Sequence, residues 1–179
     1  MGESLIFSPV PYHILSYGTL LGTQFFHTFI NAIASFKVLE RPQFGLLQRA
    51  IFPAYFGMQT VIPVALAVTY PATRITRSGI SGVLDETNRW SVLAPLATVF
   101  VTGLINWAYL LPATNAVTAK RRQQEKKDGK QSWDAPPHSQ EMVALNKNFG
   151  QLHGLSSLLN VVSFIATVTY SFTLASRFH

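Results

Sequence analysis

The chain has 179 residues, 48% of them hydrophobic and only 12% charged, with a formal net charge of +6 and no cysteine. A disordered chain has the opposite balance, few apolar residues and many charges, so disorder is excluded. The missing cysteines exclude disulfides, thiolate catalysis, iron–sulfur clusters and thiolate zinc sites. A pI near 9.8 would suit a nucleic-acid partner, but the basic residues sit between hydrophobic stretches. There, orientation signals and lipid-headgroup contacts account for them more simply.

Residues 4–36, 50–73, 90–119 and 148–176 contain no Asp, Glu, Lys or Arg. A bilayer asks for about 20 mostly apolar residues per helical span. Spans are therefore predicted over 14–36, 50–70, 90–111 and 154–176. Each can cross a hydrocarbon core of about 30 Å at ~1.5 Å per residue. Backbone groups in lipid must satisfy one another, so the spans are helices. The expected fold class is all-α: one integral-membrane domain over 1–179, a four-helix bundle with both termini on one side. A cleaved signal peptide is not expected at the first span. Glu3 precedes it without any Lys or Arg, and the span holds Gln24, His27 and Asn31.

Of the fourteen basic residues, ten fall in the 37–49 and 112–147 connections, and Arg74, Arg77, Arg89 and Arg177 lie on the other side. The positive-inside bias places those two connections in the cytosol. Residues 42–52 read as a short interfacial helix bent at Pro53. Residues 113–138 form a basic loop: Ala113–Asp128 continues the third helix into water, and 129–137 is expected to be flexible. After Ser139, a candidate N-cap, Met142, Leu145, Phe149 and Leu152 recur at helical spacing, which predicts an amphipathic interfacial helix before the fourth span.

At ~100° per residue, each span carries a polar stripe. Tyr17, Gln24, His27 and Asn31 share a face of the first, opposite Gly18, Gly22, Phe25 and Phe29. Gln48, Tyr55, Gln59 and Tyr70 align in the second if Pro53 and Pro63 do not break phase. Ser91, Thr98, Thr102, Asn106 and Tyr109 align in the third. In the fourth, His153, Ser156, Asn160, Ser163, Thr167, Tyr170 and Ser171 fall in one sector. Polar groups facing lipid are costly, so these faces should converge inside the bundle. They serve either as interhelical hydrogen-bond glue or as a polar cavity or pathway for a small solute, ion or lipid headgroup. No ionisable relay apart from His27 lies within a span, which argues against a strongly coupled ion transporter.

Gly18-x-x-x-Gly22 permits close helix approach, either within the monomer or at a homo-oligomer seam, and Gly150-x-x-x-Gly154 offers the same spacing. His27 and His153 both lie inward of the basic side and could bridge a haem or metal, but two histidines without a carboxylate or thiol are a thin ligand set. No metal site or cofactor is expected. Nucleophile-elbow, P-loop and dinucleotide fingerprints are missing, and no span holds paired carboxylates, so no catalytic residue and no enzymatic activity is expected.

The stretch Phe44–Phe56, FGLLQRAIFPAYF, resembles a signature of the transmembrane protein 205-like family. Phe149–Asn160, FGQLHGLSSLLN, resembles another, as does Asn106 followed by Leu110–Thr114; Ser16-Tyr17-Gly18 and Gln24 also fit. The resemblance covers roughly 13–176 and omits 120–138. It departs at Leu111, where vertebrate relatives carry an acidic residue, so no role of that acid transfers here. The resemblance implies a four-span protein without an established molecular activity. Vertebrate members are linked to platinum-drug resistance and to vesicle or surface membranes. This chain looks more like fungal members, which look like proteins of the mitochondrial outer membrane.

On the predicted topology these motifs fall at the cytosolic end, where Gln48, Tyr55, Asn106, His153, Ser156 and Asn160 are expected to form one polar cluster. The leading expectation is thus a non-enzymatic polytopic membrane protein whose interior binds or passes a small solute. The alternatives are an anchor or interaction protein using the 113–138 arm, with protein or anionic-lipid contact at Lys120, Arg121 and Arg122, or a haem- or metal-binding protein using His27 and His153. The lipid bilayer is the expected partner, and nucleic acid is not.

Overall fold

The computed structural model describes residues 5–71 and 78–176. Arg74, Arg77 and Arg177, used in the charge count above, lie outside them. The described residues are almost wholly helical, and no strand occurs among them.

Helix α1 (Pro9–Phe25) starts behind Ser8, whose Oγ accepts from the Val10 N–H at 3.4 Å, with proline in its first turn. A π-helical turn (Phe26–Asn31) carries it directly into α2 (Ala32–Val38). Helix α3 (Arg41–Val68) follows and keeps both Pro53 and Pro63 inside it. The separate short interfacial helix expected over 42–52 is therefore absent, and it and the second span are one helix. Pro63 has no N–H for the Gln59 carbonyl, and a neighbouring helix covers that site. This is how membrane helices tolerate proline.

After the short α4 (Gly79–Val83), Asp85 caps a turn by accepting from the Thr87 N–H at 3.0 Å. A continuous helical run, Glu86–Asp128, then takes in α5 (Ala94–Ile105), α6 (Leu111–Asp128) and π turns at Arg89–Leu93 and Asn106–Leu110. It ends at Gly129, whose φ of +61° is the left-handed closure that favours glycine. Helix α7 (Gln140–Ala175) opens on the predicted Ser139 cap, whose Oγ accepts from the Met142 N–H at 3.2 Å. It runs unbroken for 36 residues, so the expected interfacial helix and fourth span are one element.

The segment between α6 and α7 makes several hydrogen bonds of its own. Lys130 Nζ donates to the Pro137 carbonyl (2.8 Å), the Ser132 N–H to Glu125 (3.0 Å) and Asn146 Nδ2 to the Ser132 carbonyl (3.0 Å).

The long helices pack in a ring: α1 against α3 and α7, α3 against α5, and α5 against α7; α6 continues along α7. The ring buries many polar side chains beside its apolar core, and its outside is apolar. On α7, Ser163, Thr167 and Tyr170 are buried while Leu158, Val162, Ile165 and Phe172 are exposed. A water-soluble protein does not present apolar surface on this scale. Three helices, Arg41–Val68, Glu86–Asp128 and Gln140–Ala175, are long and apolar enough to cross a membrane. The helix over 9–38 is not among them, because Gln24, His27, Asn31 and its glycines dilute its apolar content. Exposed aromatics mark a slab on the second of these helices. Trp90 and Tyr109 are 81% and 65% exposed and stand roughly 28 Å apart along the axis at ~1.5 Å per residue, close to a hydrocarbon core.

Candidate functional site

Helix α3 is the spine of the interior. From the basic end inward, Gln48, Tyr55, Gln59 and Leu66 lie along one buried stripe, as their spacing predicted for the polar members, and Tyr70 is buried just beyond the helix end.

At mid-depth the stripe meets α1 and α7. Gln24 Nε2 donates to Ser163 Oγ (2.9 Å) and, at 3.5 Å, to Gln59 Oε1; Ser163 Oγ donates to Gln59 Oε1 (2.8 Å), and Gln59 Nε2 donates to Asn160 Oδ1 (3.1 Å). The close approach that makes this possible is at Gly103 of α5. A Cβ there would stand 2.9 Å from the carbonyl carbon and oxygen of Gln59, the carbonyl that Pro63 leaves without an N–H. Gly18 and Gly22, by contrast, are exposed and meet nothing within 4 Å, and the same holds for Gly150 and Gly154. Neither Gly-x-x-x-Gly pair is a packing seam within the monomer.

Among the described residues, the far end is filled by apolar side chains. Leu20, Leu66, Tyr70, Val92, Leu96 and Val99 form an apolar core there. Beside it His13, missed at the edge of the predicted first span, is fully buried. Thr69 spends its hydroxyl proton on the Ala65 carbonyl (2.7 Å), so its Oγ1 accepts from His13 Nδ1 (3.1 Å). Nε2 meets the Tyr170 hydroxyl at 2.8 Å; in the neutral ring with its proton on Nδ1, this nitrogen accepts from the hydroxyl. Extending the Tyr17–Gln24 face back by one turn would have found His13.

Toward the basic end the interior is polar and unsatisfied. Asn106, in its π turn, is 0% exposed and Gln48 is 7% exposed, and neither side-chain amide has a hydrogen-bond partner among the described residues. Gln24 Oε1 is also unpartnered. His27 lies against Tyr55 and Phe52, with ring centroids 4.4 and 5.3 Å away, and Asn31 Nδ2 donates to its Nδ1 at 3.1 Å.

The structure thus divides the predicted cluster. Gln48, Tyr55 and Asn106 are buried at the basic end, Asn160 joins the mid-depth network, and Ser156 is half-buried. His153 is exposed, stacked on Phe149 at 5.8 Å, and lines an outer groove instead of the interior. It does not share the environment of His27. No group of three metal-ligating side chains occurs among the described residues. Tyr109, expected on the Asn106 face, is exposed because the intervening π turn slips the helical phase.

Where the ring opens at the basic end, α2, α3, α6, the segment after Gly129 and the start of α7 enclose a groove of ≈ 1260 Å³. Gln48 lines it, as do Lys37, Arg41, Arg49, Arg122 and Lys126. The expected contact triplet is split. Lys120 is exposed outside the groove, and Arg122 reaches over α3. Arg121 turns onto the Phe149 ring (4.3 Å) and donates through Nε to Asn146 (2.8 Å). Burial lowers the Arg121 pKa from its ordinary value, and nearby Glu125 opposes that shift.

These features define a class: an all-helical ring with membrane-crossing helices, filled by apolar side chains at one end and open through a basic groove at the other. Residues 15–123 match the family described as a domain of unknown function, DUF4149. Xanthocillin biosynthesis cluster protein D of Aspergillus fumigatus is 35% identical over 167 residues, which is 93% of this chain and 89% of that relative. The chain belongs to the DUF4149 family. No solved structure matches it.

Proposed function

We propose that the chain is a non-enzymatic, four-span membrane protein of the transmembrane protein 205-like kind that binds a small polar solute inside the ring, between Gln48 and Asn106. The observation that carries this reading is the pair of buried, unpartnered amides. An unmade hydrogen bond at a buried amide costs about 1–3 kcal/mol, and hydrocarbon around the ring supplies no substitute. A solute with both donors and acceptors repays that cost. The apolar core beyond Gln24 favours binding over passage, since a solute entering by the groove meets Leu20, Leu66 and Val99.

The relative named for a biosynthesis cluster fits a membrane protein that handles a small molecule, and the unpartnered Gln24 Oε1 would serve as a deeper acceptor. The family resemblance makes the mitochondrial outer membrane the location to examine, by fractionation. Native mass spectrometry of the chain extracted with its own lipids tests the binding. A stoichiometric small-molecule mass, lost in Asn106→Leu with the fold retained, is expected; an unliganded chain, or retention of the mass in that variant, would contradict the proposal.

A further inference from the structure

We propose that the groove at the basic end is a binding site for an anionic phospholipid, its headgroup phosphate held by Arg41, Arg49 and Arg122. This goes beyond the interior solute and shares only Gln48 with it.

Arg41, Gly45 and Arg49 follow one another at four-residue spacing and so share one face of α3. Arg122 arrives over that face from α6: a Cβ on Gly45 would stand 4.0 Å from its Nη2. Arg41 and Arg49 thus flank Gly45 along the helix, and the Arg122 guanidinium comes over the glycine, where no Cβ stands in its way. Guanidinium forks match phosphate oxygens in pairs, which is why arginine is the preferred residue for such groups. Arg41 also lies over the Phe36 ring, 4.1 Å from its centroid, which presets it without using its N–H donors.

The charge in the groove is uncompensated. Glu125 is the one carboxylate lining it, and it already accepts from the Ser132 N–H. None of the three arginines is ion-paired among the described residues. Gln48, more than nine-tenths buried and without a partner, lines the same groove and offers two further N–H donors.

The rest of the lining is apolar, with Ile33, Phe36, Phe44, Leu46, Phe52 and Leu111. A free phosphate would leave that surface empty. Its position, at the junction of charge-free spans and charged ends, is where headgroups and acyl chains meet. At ≈ 1260 Å³ it also exceeds the roughly 300–1,000 Å³ of pockets for drug-sized ligands.

The test is native mass spectrometry of the full chain in detergent, titrated with phosphatidylserine and phosphatidylcholine of matched acyl chains. One phosphatidylserine should bind with at least about fivefold preference. Arg49→Gln with Arg122→Gln should abolish the preference. Lys120→Gln with Lys127→Gln removes the same charge outside the groove and should preserve it. Gly45→Leu, which keeps every charge but fills the space over the glycine, should also abolish it, and covers the case in which the double arginine variant does not fold. Glycerol phosphate should not compete. Equal binding of the two lipids, an equal loss in the lysine variant, or full competition by glycerol phosphate would overturn the proposal. The last result would mark a site for a soluble phosphate.

Discussion

Asn106 and Gln48 combine near-complete burial with unmet hydrogen-bonding capacity, and this pairing makes an unusual prediction. If their amides face a solute, Asn106→Leu removes binding yet leaves thermal stability in detergent unchanged or slightly raised, because an unsatisfied polar group is replaced by an apolar one of similar size. The opposite behaviour is expected where polar groups are matched. Tyr170→Phe deprives His13 Nε2 of its donor and should cost about 1–2 kcal/mol, visible as a lowered melting point. His13 itself was hidden in the sequence by position and not by chemistry. It precedes the predicted span by one residue, and only the ring of α1, α3 and α7 brings Thr69 and Tyr170 to it.

The helices follow their hydrophobic period where that period is intact. Gln48, Tyr55 and Gln59 stay in phase through Pro53, so the polar stripe of α3 was readable from spacing alone; Tyr70 is buried too, but just beyond the helix end. Two signals misled. The π turn at Asn106–Leu110 inserts extra backbone and swings Tyr109 outward, and no residue type announces it. Helix α7 runs on past the membrane boundary, roughly 54 Å for its 36 residues at ~1.5 Å each, so its polar first turns look like a separate surface helix. His153 consequently falls on the groove side, against Phe149. The packing of α3 on α5 was also illegible, since it depends on Gly103 meeting the Gln59 carbonyl. Gly103→Ala should destabilise the protein by about 1–3 kcal/mol through overpacking. Gly18→Ala, with open space around it, should change the melting point by far less in the monomer, and equal losses in the two variants would contradict this packing.

At the scale of the whole molecule, polarity runs along the ring axis: an apolar plug, a hydrogen-bonded middle, unsatisfied amides, then a basic groove. The sequence disclosed the class through its charge-free stretches. It could not disclose that one end is filled by apolar side chains, because Leu20, Leu66, Val92, Leu96 and Val99 come together only in the folded ring. The gradient is most directly tested by cysteine accessibility, and the natural chain, with no cysteine, needs no prior substitutions. Single cysteines are placed at Gln48, Asn106, Val99 and Val101, and the protein in vesicles is treated with a membrane-impermeant thiol reagent from the basic side. Labelling at Gln48 and Asn106, with none at the plugged Val99 or the lipid-facing Val101, is the predicted result. Protection of both Gln48 and Asn106, or labelling of Val99 at a comparable rate, would contradict a polar interior that opens only through the basic groove.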